Sequence, residues 1–170
     1  DALRAAGTLT DDVDDIIRNA GLTRTQIDDI IKTPKGQRPN PSTYLSQEYI
    51  DQHLDLFRGG VTKFYAQTPT GAVGPLDGTF VMPASVADDL IKQANGDIRI
   101  LEQLLGLDSG TLGKNPVRID INHPTGLRMP TGNEAGANDF WLPGGYTSGR
   151  IPEAVVDQIQ PGQYTIVPIQ

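Results

Sequence analysis

Residues 128–149, Arg-Met-Pro-Thr-Gly-Asn-Glu-Ala-Gly-Ala-Asn-Asp-Phe-Trp-Leu-Pro-Gly-Gly-Tyr-Thr-Ser-Gly, restrict the possible folds of this chain more than any other segment. Five glycines and two prolines prevent a helix or a long strand here, since glycine permits positive φ and proline lacks an amide donor. A loop of this length in a compact domain is usually functional or disordered. Because it holds the only tryptophan and lies between strand-like runs, we expect an ordered loop that faces a ligand.

The composition narrows the class of protein. A chain of 170 residues with 37% hydrophobic content can bury one core. With no cysteine, two histidines and no His-Glu-x-x-His motif, it has no thiolate ligand and we expect no metal. A net charge of −7 counts against a protein that grips nucleic acid through phosphates. Without a long apolar run or a charged-then-apolar leader, we expect neither a membrane span nor a signal peptide.

The first 43 residues predict a helical hairpin followed by a connector. Residues 13–18 (VDDIIR) and 27–32 (IDDIIK) repeat at a spacing of 14, and their apolar positions form one helical stripe. Gly21 and Pro34 supply the stops. Residues 33–43 are polar and rich in proline, so we place a domain boundary between residues 1–43 and residues 44–170. The hairpin is either a separable docking element or a cap on the core.

The order of elements in residues 44–170 predicts the α+β class. Arg118 and Asp120 alternate with apolar residues and are expected to face outward. Runs of helices and strands, rather than strict alternation, favour a mixed or mostly antiparallel sheet with two inserted helices over a doubly wound fold. The expected helices run from the Ser46 cap to Gly59, from Pro83 to Gly96 and from the Asp97 cap to Gly106. The expected strands are 61–66, 79–82, 117–121, 153–159 and 164–169.

Several runs resemble the C-terminal toxin modules of bacterial polymorphic toxins, the variable tips of contact-dependent inhibition, haemagglutinin-type and Rhs proteins. The resemblance covers roughly residues 44–170 and is carried mainly by residues 128–138 (RMPTGNEAGAN), 141–145 (WLPGG) and 152–156 (PEAVV). It implies a secreted or cell-surface protein that acts in the cytoplasm of a neighbouring cell. It also implies a cognate immunity protein that covers the site.

Three runs further resemble the ADP-ribosyltransferase-like group, including NAD glycohydrolases of the tuberculosis necrotizing toxin type. Residues 78–83 (GTFVMP) resemble its strand-to-helix step, and residues 137–147 resemble its aromatic-Pro-Gly-Gly-x-Thr loop. Glu153 ahead of residues 161–164 is similar to its closing carboxylate and strand. The resemblance implies an ADP-ribosyltransferase-like core with NAD as the substrate, which the protein hydrolyses or uses to modify a protein or RNA acceptor.

The chain departs from that pattern at several positions. The glutamine that follows the glycine loop in the glycohydrolases is Ser148 or Gly149 here, and the Ser-x-Ser element of the transferases is missing. The arginine of the first strand can only be Arg58, just ahead of that strand.

The chemistry of NAD cleavage indicates which residues would act. An oxocarbenium-like state needs a carboxylate, from Glu153 or Glu134, while Arg58 would hold the pyrophosphate. Alternatively, Glu134 caps a turn, Glu153 is an exposed strand residue, Trp141 belongs to the core and Arg58 closes a helix C-terminus. The candidate NAD-binding residues, chosen for stacking, hydrogen bonding or close backbone approach, are Arg128, Asn133, Asn138, Trp141, Gly144, Gly145, Tyr146, Thr147 and Ser148.

Two other functions stay open at the level of sequence. A metal-independent ribonuclease that cleaves tRNA or rRNA would need a base and an acid beside a phosphate-binding cation, and His123, Glu134, Arg128 and Arg118 could supply them. His123 is equally explained as a loop residue without a role. A non-enzymatic module would use the hairpin and the amide-rich loop to recognise a partner.

Overall fold

The computed structural model of the protein describes residues 14, 16 and 18–169. The predicted first helix of the hairpin therefore lies largely outside the described residues, although residues 14, 16 and 18–20 are helical. The helices are α1 (Arg24–Lys32), α2 (Gln47–Asp55), α3 (Ala84–Ala94) and α4 (Ile98–Leu104), with a short 3-10 helix at Pro41–Thr43. The strands are β1 (Val61–Tyr65), β2 (Thr79–Pro83), β3 (Val117–Ile121), β4 (Ala154–Val156) and β5 (Thr165–Pro168).

The strands form one sheet in the order β4-β2-β1-β3-β5, and every pairing is antiparallel. This confirms the predicted α+β class with a mostly antiparallel sheet and two helices, α3 and α4, between β2 and β3. The β1–β3 ladder covers all of β1, whereas β1 and β2 pair only at Val61–Pro83 and Thr62–Met82. The next residue of β1, Lys63, therefore lies where β1 and β2 stop pairing.

Each face of the sheet is covered by a separate apolar cluster. On one face, Val61 and Ile119 pack with Phe57 in a cluster of fully buried side chains. On the other face, Phe64 and Met82 pack against the buried residues of α3 and α4. Alternation along each strand sends successive side chains to these two faces, so β1 to β4 are largely removed from water, whereas β5 at the edge is mostly exposed.

The prediction that Arg118 and Asp120 face outward is wrong for Arg118, because α3 covers the second face of β3. Arg118 is only 9% exposed. Its guanidinium donates to Asp120 at 2.8 Å and to Asp88 of α3 at 2.5 Å. The alternation of VRIDI predicts two different faces, but it does not reveal that a helix packs on the polar one.

Local sequence signals account for most helix ends. Ser46 caps α2 by accepting a hydrogen bond from the amide of Tyr49, and Asp97 caps α4 by accepting from the amides of Arg99 and Ile100, which confirms both predicted caps. The start of α3 differs, since Pro83 is its cap residue and no side chain, Ser85 included, makes a capping bond.

The two C-terminal strands are shorter than predicted. The expected strand 153–159 is ordered as a strand only over β4, and Ile159 instead forms an isolated bridge with Val73. The outer edge of β4 is bridged by Arg128, whose backbone exchanges hydrogen bonds of 2.9 Å with Val155. The expected strand 164–169 is likewise reduced to β5.

The described part of the first 43 residues packs against the long loop. Leu22 and Ile27 share a buried cluster with Met129 and Leu142 of the loop. The backbone of Gly36 donates to the side chain of Asn133 at 2.8 Å. The division of the chain at residue 43 stays a prediction. Over the described residues, helices are too short or too polar to cross a bilayer.

Candidate functional site

The long loop forms one wall of a cavity of about 120 Å³. The segments that lead into β2 and out of α4, Lys63 of β1 and Glu153 form the remainder. A smaller cavity of about 60 Å³ continues from it and shares Lys63, Phe80 and Glu153. The two spaces are one cleft, walled by the aromatic rings of Phe80, Phe140 and Trp141 and by Asn138, Thr147, Ser148 and Glu153.

Glu134 organises the loop from inside rather than facing the cleft. Its carboxylate accepts hydrogen bonds of 2.9 Å from the amide and hydroxyl of Thr131 and from the amide of Gly132. The side chain is only 5% exposed. Such a set of donors is what a carboxylate that caps a turn requires, which matches the structural alternative for this residue.

Trp141 belongs both to the core and to the wall of the cleft. It is 6% exposed, and the guanidinium of Arg38 lies 4.9 Å from its ring centroid. Its indole nitrogen is buried and has no hydrogen-bond partner within the described part of the chain. Gly132 permits this arrangement, because a Cβ at that position would lie 2.6 Å from the ring.

Lys63 brings an amine into the cleft at the point where β1 and β2 separate. Its ammonium group donates to the backbone carbonyl of Phe80 at 3.3 Å. The side chain is partly exposed, and it lines both parts of the cleft. Burial lowers the pKa of Lys63 to about 8, although the nearby Glu153 opposes that change.

Glu153 immediately precedes β4 and lines both parts of the same cleft. Its amide donates to the carbonyl of Gly145 at 2.8 Å, which ties it to the glycine loop. Burial raises the pKa of Glu153 to about 8; the charge of Glu134 raises it further and the charge of Lys63 lowers it. An acid and a base with pKa values near neutrality in one cleft are typical of a reactive site.

The remaining loop residues divide into those that line the cleft and those that hold the loop. Asn138, Trp141, Thr147 and Ser148 line it together with Glu153. The others hold the loop in place. The side chain of Asn133 is hydrogen-bonded to the backbone of Gly36 and Arg38, and the carbonyl of Gly144 accepts a hydrogen bond from Tyr49. The carbonyl of Gly145 accepts from the amide of Glu153, and the ring of Tyr146 packs on His53.

Neither Arg58 nor Arg128 is part of the lining of the cleft. Arg58 pairs with Asp55 at 2.6 Å on the surface, with its side chain 82% exposed. Arg128 pairs with Asp157 at 2.8 Å and donates to the carbonyl of Asp77 at 3.0 Å. His123 is exposed. The structure therefore does not bring together the four side chains of the predicted ribonuclease site, since Arg118 and Glu134 are occupied elsewhere.

Sequence reasoning missed Lys63 and His53. His53 lies 4% exposed beneath the loop, with its Nε2 atom 2.8 Å from the carbonyl oxygen of Glu153. A signal for it was present, because residues 49, 53 and 57 recur at a spacing of four, which places three rings on one stripe of the expected helix. No comparable signal marked Lys63, whose position depends on where strand pairing ends.

Comparison of the chain with protein-family models and with curated proteins gives no match. Membership of a toxin family and an ADP-ribosyltransferase-like core therefore stay predictions. Among the described residues, no group of three or more His, Asp or Glu side chains is placed to hold a metal ion, and the expectation that none is needed also stays a prediction. The chemistry that this arrangement offers is a carboxyl group and an amine in a narrow aromatic cleft.

Proposed function

We propose that the cleft binds NAD and that the protein breaks the bond between nicotinamide and ribose. The observation that carries this proposal is the position of Glu153 and Lys63 at one aromatic-walled cavity. Its volume of about 120 Å³ is comparable with the roughly 150 Å³ that accommodates a benzene ring. The cavity thus suits one planar ring, while the rest of a dinucleotide would lie along the open side of the cleft.

The carboxyl group matches the charge that develops during this reaction. When the bond from ribose C1′ to nitrogen breaks, nicotinamide leaves with the bonding electrons and positive charge spreads over the ribose. An ionised Glu153 would stabilise that charge. Water then attacks C1′ and its proton passes to the carboxylate, which yields ADP-ribose. If a hydroxyl or amine of a protein or RNA acceptor replaces water, the product is an ADP-ribosylated acceptor.

Lys63 takes the role of the cation that the sequence prediction gave to Arg58. It is the basic side chain in the lining of the cleft, and an ammonium group binds phosphate oxygens as a point charge. It also favours ionisation of Glu153. The positive charge of the bound pyridinium ring acts in the same direction, so binding of NAD itself would promote the reactive form of the carboxyl group.

The biological setting follows from the resemblance to toxin modules. The protein would be secreted or presented at a cell surface and would consume NAD in the cytoplasm of a target cell. A cognate immunity protein would block the open side of the cleft. The ribonuclease alternative has less support, because His123, one of the side chains that could supply its base or acid, lies exposed and outside the lining of the cleft.

Release of nicotinamide from NAD by the purified protein tests the proposal. We expect Glu153→Gln to lower the rate roughly 100-fold or more, the usual loss when a transition-state partner is removed. Glu48→Gln is the matched control, since Glu48 is an exposed residue of α2 outside the cleft. A folded wild-type protein that leaves NAD intact, or a fully active Glu153→Gln variant, would refute the proposal. Cleavage of tRNA or rRNA instead would establish the ribonuclease alternative.

A further inference from the structure

Helix α2 binds two backbone carbonyls of the segment from Gly144 to Glu153. The hydroxyl of Tyr49 donates to the carbonyl of Gly144 at 2.6 Å. One turn later, the imidazole of His53 lies 2.8 Å from the carbonyl oxygen of Glu153. Glu153 lines the cleft and its carboxyl group interacts with the charge of Lys63 there, whereas its carbonyl oxygen is bound to the helix. One residue thus links α2 to the reactive site.

The contact with a carbonyl defines the protonation of His53. Because a carbonyl oxygen only accepts, the Nε2 atom must carry the hydrogen and donate it. The Nδ1 atom is buried and has no partner within the described part of the chain. Burial also lowers the pKa of His53, although its bond to Glu153 opposes that change. The ring is therefore neutral and serves as a donor.

Aromatic rings fix the orientation of that donor. Tyr49 stacks parallel to His53 at 6.2 Å, and Phe57 and Tyr146 pack against it at 5.4 Å and 5.0 Å. The titratable groups facing the imidazole are Tyr49 and Tyr146, and burial raises the pKa of both, that of Tyr49 to about 12. Both phenols therefore stay neutral across the physiological range, so the environment of the imidazole does not change its charge.

Gly145 is the residue that lets His53 approach. Its φ is +86°, and a Cβ at this position would overlap the Nε2 atom. The carbonyl of Gly145 accepts from the amide of Glu153 at 2.8 Å. His53, Gly145 and Glu153 therefore form one hydrogen-bonded unit in which both backbone groups of Glu153 are held.

We propose that His53 is a positioning residue that sets how deeply the carboxyl group of Glu153 lies in the cleft. Its catalytic consequence rests on the proposed function, whereas its effect on the environment of Glu153 does not. Without the bond from Nε2, the segment before β4 loses its link to α2. The carboxyl group then moves toward water and loses the environment that Lys63 and Glu134 share with it.

Replacing His53 by glutamine and by leucine distinguishes the effect of its hydrogen bond to Glu153 from the effect of its packing. Glutamine offers an amide hydrogen to the Glu153 carbonyl, whereas leucine fills space without a donor. The first measurement is an NMR titration of the Glu153 side-chain carboxyl. We expect its pKa to fall by about one unit or more in His53→Leu, a shift that reports the changed environment, and to keep its wild-type value in His53→Gln.

The second measurement is the kinetics of nicotinamide release. With kcat taken at the optimum of each variant's pH profile, so that a changed Glu153 pKa does not enter, we expect His53→Leu to lower kcat roughly 10-fold or more while KM changes little, since a displaced carboxylate weakens the transition state rather than ground-state binding. His53→Gln should restore most of kcat. Glu48→Gln is the matched control and should keep the wild-type kcat, because Glu48 is an exposed residue of the same helix outside the lining of the cleft.

The outcomes are distinguishable. The positioning role is refuted if folded His53→Leu keeps the wild-type pKa of Glu153. It is also refuted if His53→Gln lowers kcat as much as His53→Leu does. If the pKa behaves as expected but no form of the protein cleaves NAD, the positioning role stands and the proposed function fails. If His53→Leu does not fold, His53→Asn makes the same comparison, because its shorter amide does not reach the carbonyl.

Discussion

The guanidinium of Arg38 covers the ring of Trp141 at 4.9 Å and donates to the carbonyl of Gly132 at 2.6 Å. The same side chain donates to carbonyls of Ile30, Ile31 and Thr33 at the end of α1. One arginine thus fastens the N-terminal region to the wall of the cleft.

Replacement of Arg38 by alanine should therefore destabilise the folded protein and, at the same time, make the cleft wall around Trp141 less rigid. Loss of several hydrogen bonds from a charged donor, together with the cation–π contact, should lower the free energy of unfolding by about 3 kcal/mol. Urea denaturation with Trp141 fluorescence as the probe measures this directly. Arg38→Lys keeps the charge but not the planar fork, so it should recover only part of the loss; full recovery would show that charge alone matters.

The pKa values of Glu153 and Lys63 predict an unusual dependence of stability on pH. Glu153 binds its proton more tightly in the folded state, so its contribution falls as pH rises from its unfolded value to about 8. Lys63 holds its proton less tightly in the folded state, so its contribution rises from pH about 8 toward the unfolded pKa. The combined contribution has a minimum near pH 8.

Thermal unfolding at a series of pH values tests this minimum when variants are compared with the wild type. Glu153→Gln should remove the decline on the acidic side, and Lys63→Met should remove the rise on the alkaline side. Identical pH profiles for wild type and both variants would show that neither group is perturbed by folding.

Activity should rise as pH approaches about 8, because Glu153 must be ionised to stabilise positive charge, and should fall at higher pH, because Lys63 then loses the charge that binds phosphate. Lys63→Met removes the charge that lowers the pKa of Glu153, so the midpoint of the kcat/KM profile should move to higher pH. Activity at pH 7 should fall accordingly. An unchanged midpoint after this substitution would show that the charge of Lys63 does not affect the pKa of Glu153.

Gly132 and Gly162 provide a matched test of how closely the loop approaches Trp141. Both have φ near +90°, at +86° and +89°, but only Gly132 has neighbours within 4 Å of an added Cβ. Alanine at either position carries the same backbone strain. Gly132→Ala should cost a further 1–3 kcal/mol, roughly, from overpacking against the indole. Equal unfolding free energies for the two variants would indicate that the loop shifts to accommodate the added methyl group at no further cost in stability.

Local patterns predicted the elements better than they predicted the site. The caps at Ser46 and Asp97 follow from short-range hydrogen bonds, and the alternation around Ile119 follows from the pleat of a strand. The surroundings of Arg118 depend on which helix covers the sheet, which a strand pattern does not encode.

The site required tertiary information of the same kind. Glu153 and the cleft-lining part of the loop were predicted from residue types and resemblance. Lys63 enters the cleft because β1 and β2 stop pairing beside it, and His53 matters because α2 packs beneath Gly145. Neither the end of a strand ladder nor the contact of a helix with a distant glycine is visible in nearby residues.

A crystal structure of Glu153→Gln grown with NAD tests the central claim most directly, because the substitution preserves the shape of the side chain while slowing cleavage. We predict an intact dinucleotide with its nicotinamide ring between Phe80 and Trp141 and its ribose C1′ facing residue 153. An empty cleft at saturating NAD, or NAD bound elsewhere on the protein, would contradict the account.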